Sequence, residues 1–155
     1  MDLNALSDEL GGYEVEVMAA CEVLEQAGVG FRVSGFGLDD WRLDVEYDCS
    51  IFMENLPDLL DALARKEEHV FFFASQGVEV VLAFVPVDES VVINCSSLVA
   101  RAPSPVVETT ARADLVSMLE RFAVDFGVAL TRVSPPLASE EPFRSWAEGR
   151  LGSDL

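Results

Sequence analysis

Residues 69–97 read HVFFFASQGVEVVLAFVPVDESVVINCSS, the densest run of apolar and β-branched residues in the chain. Three consecutive strands, over 70–74, 78–85 and 91–95, account for it. The first two carry apolar residues at both alternating positions, the pattern of strands buried on two sides, whereas the third loosens at Asn94 and Ser96. Gln76-Gly77 and Asp88-Glu89 supply the breaks, Gly77 through its freedom at positive φ and the acidic pair through its polarity. Such a meander is a core, and the rest of the chain is expected to cover it.

Working outward toward the N-terminus, Asn55 has the chemistry of a helix cap, with Pro57 in the first turn and Leu56, Leu59, Leu60 and Leu63 forming one apolar stripe; Arg65-Lys66 stand at the negative end of the helix dipole. Residues 41–48 alternate Trp41, Leu43, Val45 and Tyr47 with Arg42, Asp44, Glu46 and Asp48, which predicts a strand with one dry and one wet face. Phe31 and Val33, among the glycines of 28–37, predict a further strand. Residues 13–27 repeat Tyr13, Val17, Ala20, Cys21 and Leu24 at helical spacing until Gly28, although YEVEV at 13–17 also alternates as a strand would. Residues 1–12 read as a flexible leader or a single helical turn.

Toward the C-terminus, 101–105 (RAPSP) is too rich in proline for a strand interior and reads as a linker. Thr110 is the expected cap of the longest helix, whose Leu115, Met118, Leu119, Phe122, Ala123 and Phe126 keep helical spacing up to Gly127. Residues 128–133 follow as a short strand or extended tail closed by Pro135-Pro136. Ser139 then caps a last helix over 140–150, whose Phe143, Trp146 and Ala147 are placed to dock on the body of the chain. The expected fold is a single α+β domain over 1–155, with a mostly antiparallel five-stranded sheet built on the 69–97 meander and packed with helices, and 135–155 as a helical appendage. A chain of 155 residues is long enough to bury about two thirds of its unfolded surface without a metal or disulfide.

Charge narrows the partners. Asp and Glu number 28 against 10 Lys and Arg, a formal charge of −18, which repels nucleic acid and anionic membranes and attracts basic proteins. The opening residues show no basic region ahead of an apolar core, and no apolar run reaches the length of about 18 residues a membrane span needs. A soluble cytoplasmic protein is expected, with Cys21, Cys49 and Cys95 reduced.

Chemical motifs fail one by one. Gly28-Val29-Gly30 begins a dinucleotide pattern, but Val33 stands where the third glycine is required. Counted from Asp44, a calcium loop would need Gly at 49 and Glu at 55, where Cys49 and Asn55 occur. Asp44, Glu46 and Asp48 would be spaced roughly 6.6 Å apart on a strand, a glycosidase-like separation, yet an open strand face offers neither a cleft nor a sugar platform. His69 is the only histidine, Ser34 lacks the flanking glycine of a nucleophile elbow, and no zinc spacing exists. No enzyme activity, cofactor or metal is expected.

The acidic segment, the helix NLPDLLDALARKE (55–67) and the meander that follows resemble, over about residues 41–97, the small cytoplasmic immunity proteins encoded beside bacterial polymorphic toxins. The likeness lies in architecture and acidity, so no functional residue is carried over from those families. What the resemblance implies is a stoichiometric inhibitor occluding a toxin's active site, many such toxins presenting basic, nucleic-acid-binding clefts. On this reading Asp39, Asp40, Asp44, Glu46 and Asp48, with Trp41 and Arg42 at the margin, form the partner-binding face. The alternative is a structural or regulatory subunit that self-associates, or docks on another protein, through the last two helices.

Overall fold

The computed structural model describes residues 3–41, 43–73, 79–97 and 106–150, with residues 3–11 and 97 as backbone only. Helix α1 spans Leu3–Gln26, α2 Ser50–Arg65, and strands β1 His69–Phe73, β2 Val80–Val87, β3 Ser90–Ser97 and β4 Val107–Ala111 follow; α3 (Arg112–Val133), α4 (Pro135–Ala138) and α5 (Phe143–Ala147) close the chain. The strands form one antiparallel sheet in sequence order. The three strands of the meander lie where the sequence puts them and Asp88-Glu89 makes their second turn, while Gln76-Gly77 and the RAPSP linker fall outside the described residues.

Among the described residues the sheet has four strands rather than five. Within them neither 28–37 nor 41–48 is a strand, and β4, unforeseen, occupies the place where Thr110 was expected to cap a helix. Thr110 pairs with Val91, and α3 starts from Ala111, which provides no side-chain cap. Register sets the two faces: Phe71 stands opposite Leu82 and Leu82 opposite Cys95, all buried. Helices α2 and α3 lie on this inner face, and α1 packs on both of them through Val17, Ala20, Cys21 and Leu24.

Aromatic rings join the layers. Phe52 of α2 meets Phe122 of α3 at 5.2 Å and Phe71 of β1 at 6.0 Å, and Phe71 continues to Phe84 at 5.8 Å. A second group holds the C-terminal helix: Trp146 packs edge-on to Phe126, Phe143 and Tyr13. Each such pair adds about 0.5–1.5 kcal/mol beyond the area it buries. Gly127 does not end α3. The helix runs on to Val133, so 128–133 is neither strand nor tail, and Gly127 is where α5 approaches. A Cβ there would sit 2.8 Å from the backbone nitrogen of Ala147.

Residues 41–48 depart from the alternating pattern for an identifiable reason. Val45–Cys49 is a single π-helical turn running directly into α2, with Asp44 as its cap. The Asp44 carboxylate accepts from the backbone N–H of Tyr47 (2.7 Å) and Asp48 (3.1 Å), and the Asp48 carboxylate accepts from the N–H of Asp44 (2.9 Å). This is a capping box stretched by one residue. Burial therefore follows a helical period through Val45, Cys49, Met53, Leu56, Leu59 and Leu63. Asn55 is consequently inside α2, bonded to the carbonyl of Ile51 at 2.8 Å, and is not its cap. Residues 3–12, expected as a leader or one turn, are the front of α1.

Residues 27–41 are largely irregular but pinned. Gly35 and Leu38 exchange hydrogen bonds around Phe36 (φ 54) and Gly37 (φ 86), a turn with both central residues left-handed. Phenylalanine is a costly choice for that backbone. It is held by burial of its ring and by its N–H, which donates to the Glu108 carboxylate at 2.7 Å.

The sheet's second face has no cover among the described residues. Its outward positions carry Val, Phe, Ala, Ser, Thr and Asn and no charged side chain. Val70 is 56% exposed and Phe72 41%, with Val87 and Val107 similarly open. Two-sided burial, expected for the first two strands, is thus met on one side only.

Pro57 stands inside α2, where it cannot donate to the carbonyl of Met53 and costs the helix about 3 kcal/mol. The Tyr13 hydroxyl donates to that same carbonyl at 2.6 Å, binding α1 to the gap in α2. Burial, with Glu54 and Asp58 nearby, keeps the phenol protonated well above its ordinary pKa. Tyr13→Phe is expected to cost about 1–3 kcal/mol in denaturant unfolding, and less in a Pro57→Ala background, where the substituted alanine supplies the missing N–H. Equal losses in both backgrounds would contradict the pairing.

Candidate functional site

The seven residues expected to form an acidic strand face do not share one. Asp39 and Asp40 are exposed on the turn after the Gly35–Leu38 hairpin. Trp41 points inward, tilted against Phe36 and edge-on to Phe73, with its indole N–H donating to the carbonyl of Gly35 at 3.0 Å. Arg42 lies outside the described residues. Asp44 is exposed but occupied in capping, and Asp48 is 2% exposed, on the same side as Val45 and Cys49; Tyr47, expected in the core, is 61% exposed. The even spacing that suggested convergent carboxylates is replaced by a helical one. Of the set, Glu46 and the exposed Asp39 and Asp40 keep positions suited to contact.

Glu46 lies against the end of α1. Its N–H donates to the Glu25 carboxylate at 3.0 Å, so one acid is seated on the backbone of another. Desolvation first, then the charge and hydrogen bond of Glu25, then Glu22 and Asp44, raise the Glu46 carboxyl above the usual glutamate range. Farther along α1 the theme repeats. Glu54 is raised by burial and by Glu14, against a hydrogen bond from Ser50 that lowers it, and Glu16 by burial and by Glu140. None of the ion pairs among the described residues reaches these carboxylates. Lys66 and Arg112 instead share Glu89, pulling its pKa down and tying the β2–β3 turn to the ends of α2 and α3.

Glu22 and Glu25 were legible only as exposed positions on a helix. Their spacing of three residues puts them on one face, but their meeting with Glu46 depends on the π-turn and could not be read from α1 alone.

A recess of about 220 Å³ lies between α1, residues 29–31, the π-turn and α3, lined mainly by Leu24, Val29, Phe31, Val45, Phe122 and Phe126, with Asp125 and Cys49 as its polar members. The Cys49 thiol is held strongly protonated by a hydrogen bond to Cys21, by burial and by Asp44 and Asp48, a poor setting for a nucleophile. Neither Asp44 nor Glu46 lines the recess. Cys21, Cys49 and Cys95 are all free and buried. Among the described residues no group of three or more His, Cys, Asp or Glu is placed to hold a metal ion, and no helix is long and apolar enough to cross a membrane.

No family model, curated protein or solved structure matches the chain. The functional reading therefore rests on the molecule's own electrostatics and surfaces.

Because folding raises the Glu46 pKa, the folded state binds the proton more tightly than the unfolded chain, and the ionised side chain opposes folding once pH rises through that raised value. Glu46→Gln should raise the melting temperature at neutral pH. The gain should shrink as pH falls toward the ordinary glutamate pKa of about 4.3. Calorimetry across pH reads both, and a variant that melts lower at neutral pH would contradict the crowding of Glu46 by Glu25.

Proposed function

We propose that the chain is a non-enzymatic, acidic protein-binding module of the immunity type, which inhibits a basic and nucleic-acid-targeting bacterial toxin in the cytoplasm by covering its active cleft. One observation carries the reading. The backbone N–H of Glu46 is seated on the Glu25 carboxylate, Glu22 and Asp44 add their charge nearby, and no ion pair among the described residues relieves them. Like charges held together raise the energy of the free molecule, and a cationic surface removes that cost on contact. The net charge of −18 adds long-range steering, which accelerates association by about 10- to 1000-fold and fades with salt.

The residues proposed for contact shift accordingly. Glu46 stays, Glu22 and Glu25 join it, and Asp39 and Asp40, exposed on the segment that leads into the π-turn, remain at the margin. Asp44 and Asp48 serve mainly to hold the π-turn, so reversing their charge would test the cap rather than the interface.

The test is stopped-flow association with the basic toxin domain this reading requires, sought first in the gene beside this one, at low and at physiological salt. The triple variant Glu22→Lys, Glu25→Lys, Glu46→Lys should slow association about tenfold or more and flatten its salt dependence. Unchanged association would remove this surface from the interface.

A further inference from the structure

We propose that the open face of the sheet is the apolar centre of the interface with that basic partner, the carboxylates forming only its steering fringe. The inference rests on the binding-module reading and adds the surface that would set the lifetime of the complex. In a molecule with 28 acidic residues, every outward position of the four strands is uncharged, and Val70, Phe72, Val87 and Val107 are exposed there. Exposed, contiguous apolar surface rimmed by polar groups marks protein contact.

The rim says what kind of protein. Glu68 keeps the outward parity of Val70 just before β1, Glu67 precedes it, and Asp88 directly follows Val87; all three are exposed, and none belongs to an ion pair among the described residues. Lys66 and Arg112 stand at this end too, but both are engaged by Glu89, so a body seated there meets a surplus of carboxylates, and the occupant is a protein with an apolar centre bordered by Lys and Arg. A second copy fits poorly, since it would bring its own acidic rim. Four strands about 4.8 Å apart, the outer two of five residues and the inner two of eight, give a face of roughly 400 Å². Two such faces bury roughly 800 Å² in total, below the roughly 1,200 Å² of a stable interface. A larger partner reaching from the apolar face over its acidic border escapes that limit.

The division of labour follows from the chemistry of each part. Screened carboxylates at the border set how fast partners meet, and desolvated Val and Phe side chains set how slowly they part.

The probes are three synthetic amphipathic helical peptides, of Leu and Lys, of Leu and Glu, and of Ser and Lys, titrated into the full chain at physiological salt with its valine methyl groups observed by NMR. The Leu/Lys peptide should shift the methyls of Val70, Val87 and Val107, and of Val81, which pairs with Phe72 on the same face, and leave buried Val17 unmoved. It should bind at least tenfold more tightly than either other peptide, and at least tenfold more weakly to the Phe72→Ser, Val87→Ser variant. Met118→Ser, which removes an exposed apolar side chain from α3, should leave binding unchanged.

Equal binding of the Ser/Lys peptide, or Leu/Lys shifts confined to α1 and the π-turn, would overturn the inference while sparing the basic-partner reading. Failure of both cationic peptides to bind anywhere would overturn the two together. Concentration-dependent sedimentation abolished by Phe72→Ser, Val87→Ser would assign the face to a second copy and likewise refute the proposal.

Discussion

A sheet with apolar residues on both faces requires two covers, and the described residues of this chain supply one. That constraint organises the molecule. The inner side chains of β1 and β2, Phe71, Phe73, Leu82 and Phe84, are buried beneath α2 and α3, and α1 and α5 exist in this architecture to back those two helices. Tyr13 reaches α2 where Pro57 has removed a donor, and α5 closes on Gly127 where α3 has no side chain. Each contact fixes a helix position without using charge, which leaves the carboxylates for the surface.

The carboxylates are nevertheless not spread at random. Those with structural work are paired or hydrogen-bonded: Glu89 with Lys66 and Arg112, Glu108 with the N–H of Phe36, Asp44 and Asp48 with each other's backbone. Glu22, Glu25 and Glu46 gather on one side of α1 instead. A fold of ordinary stability, about 5–15 kcal/mol, tolerates such crowding only where water screens it, and it becomes an advantage when a cation arrives.

The legibility of the sequence tracks how local each determinant is. The meander was readable because β-branched density, Asp88-Glu89 and strand length all agree. Helix α2 was readable from its leucine stripe and its Arg65-Lys66 end. The error at 41–48 has a physical origin: Val45 and Tyr47 satisfy a period of two, whereas Val45 and Cys49 satisfy a helical one, and the reciprocal bonds of Asp44 and Asp48 decide between them. Thr110 and Gly127 misled for the opposite reason. A threonine before an apolar stripe and a glycine within one are local signals of helix ends, but pairing with Val91 and the close approach of Ala147 are tertiary facts. The site suffered most, since acidity is visible in composition while the meeting of Glu25 with Glu46 is not.

The central claim, that one face of the sheet is dry and the other open, is tested most directly by relaxation of valine methyl signals with a soluble, uncharged gadolinium chelate in the free protein. The account predicts strong relaxation at Val70, Val87 and Val107, and weak relaxation at Val91 and Val17, which are buried. Outward valines as protected as Val91 would show that the face is already covered, and would contradict the account.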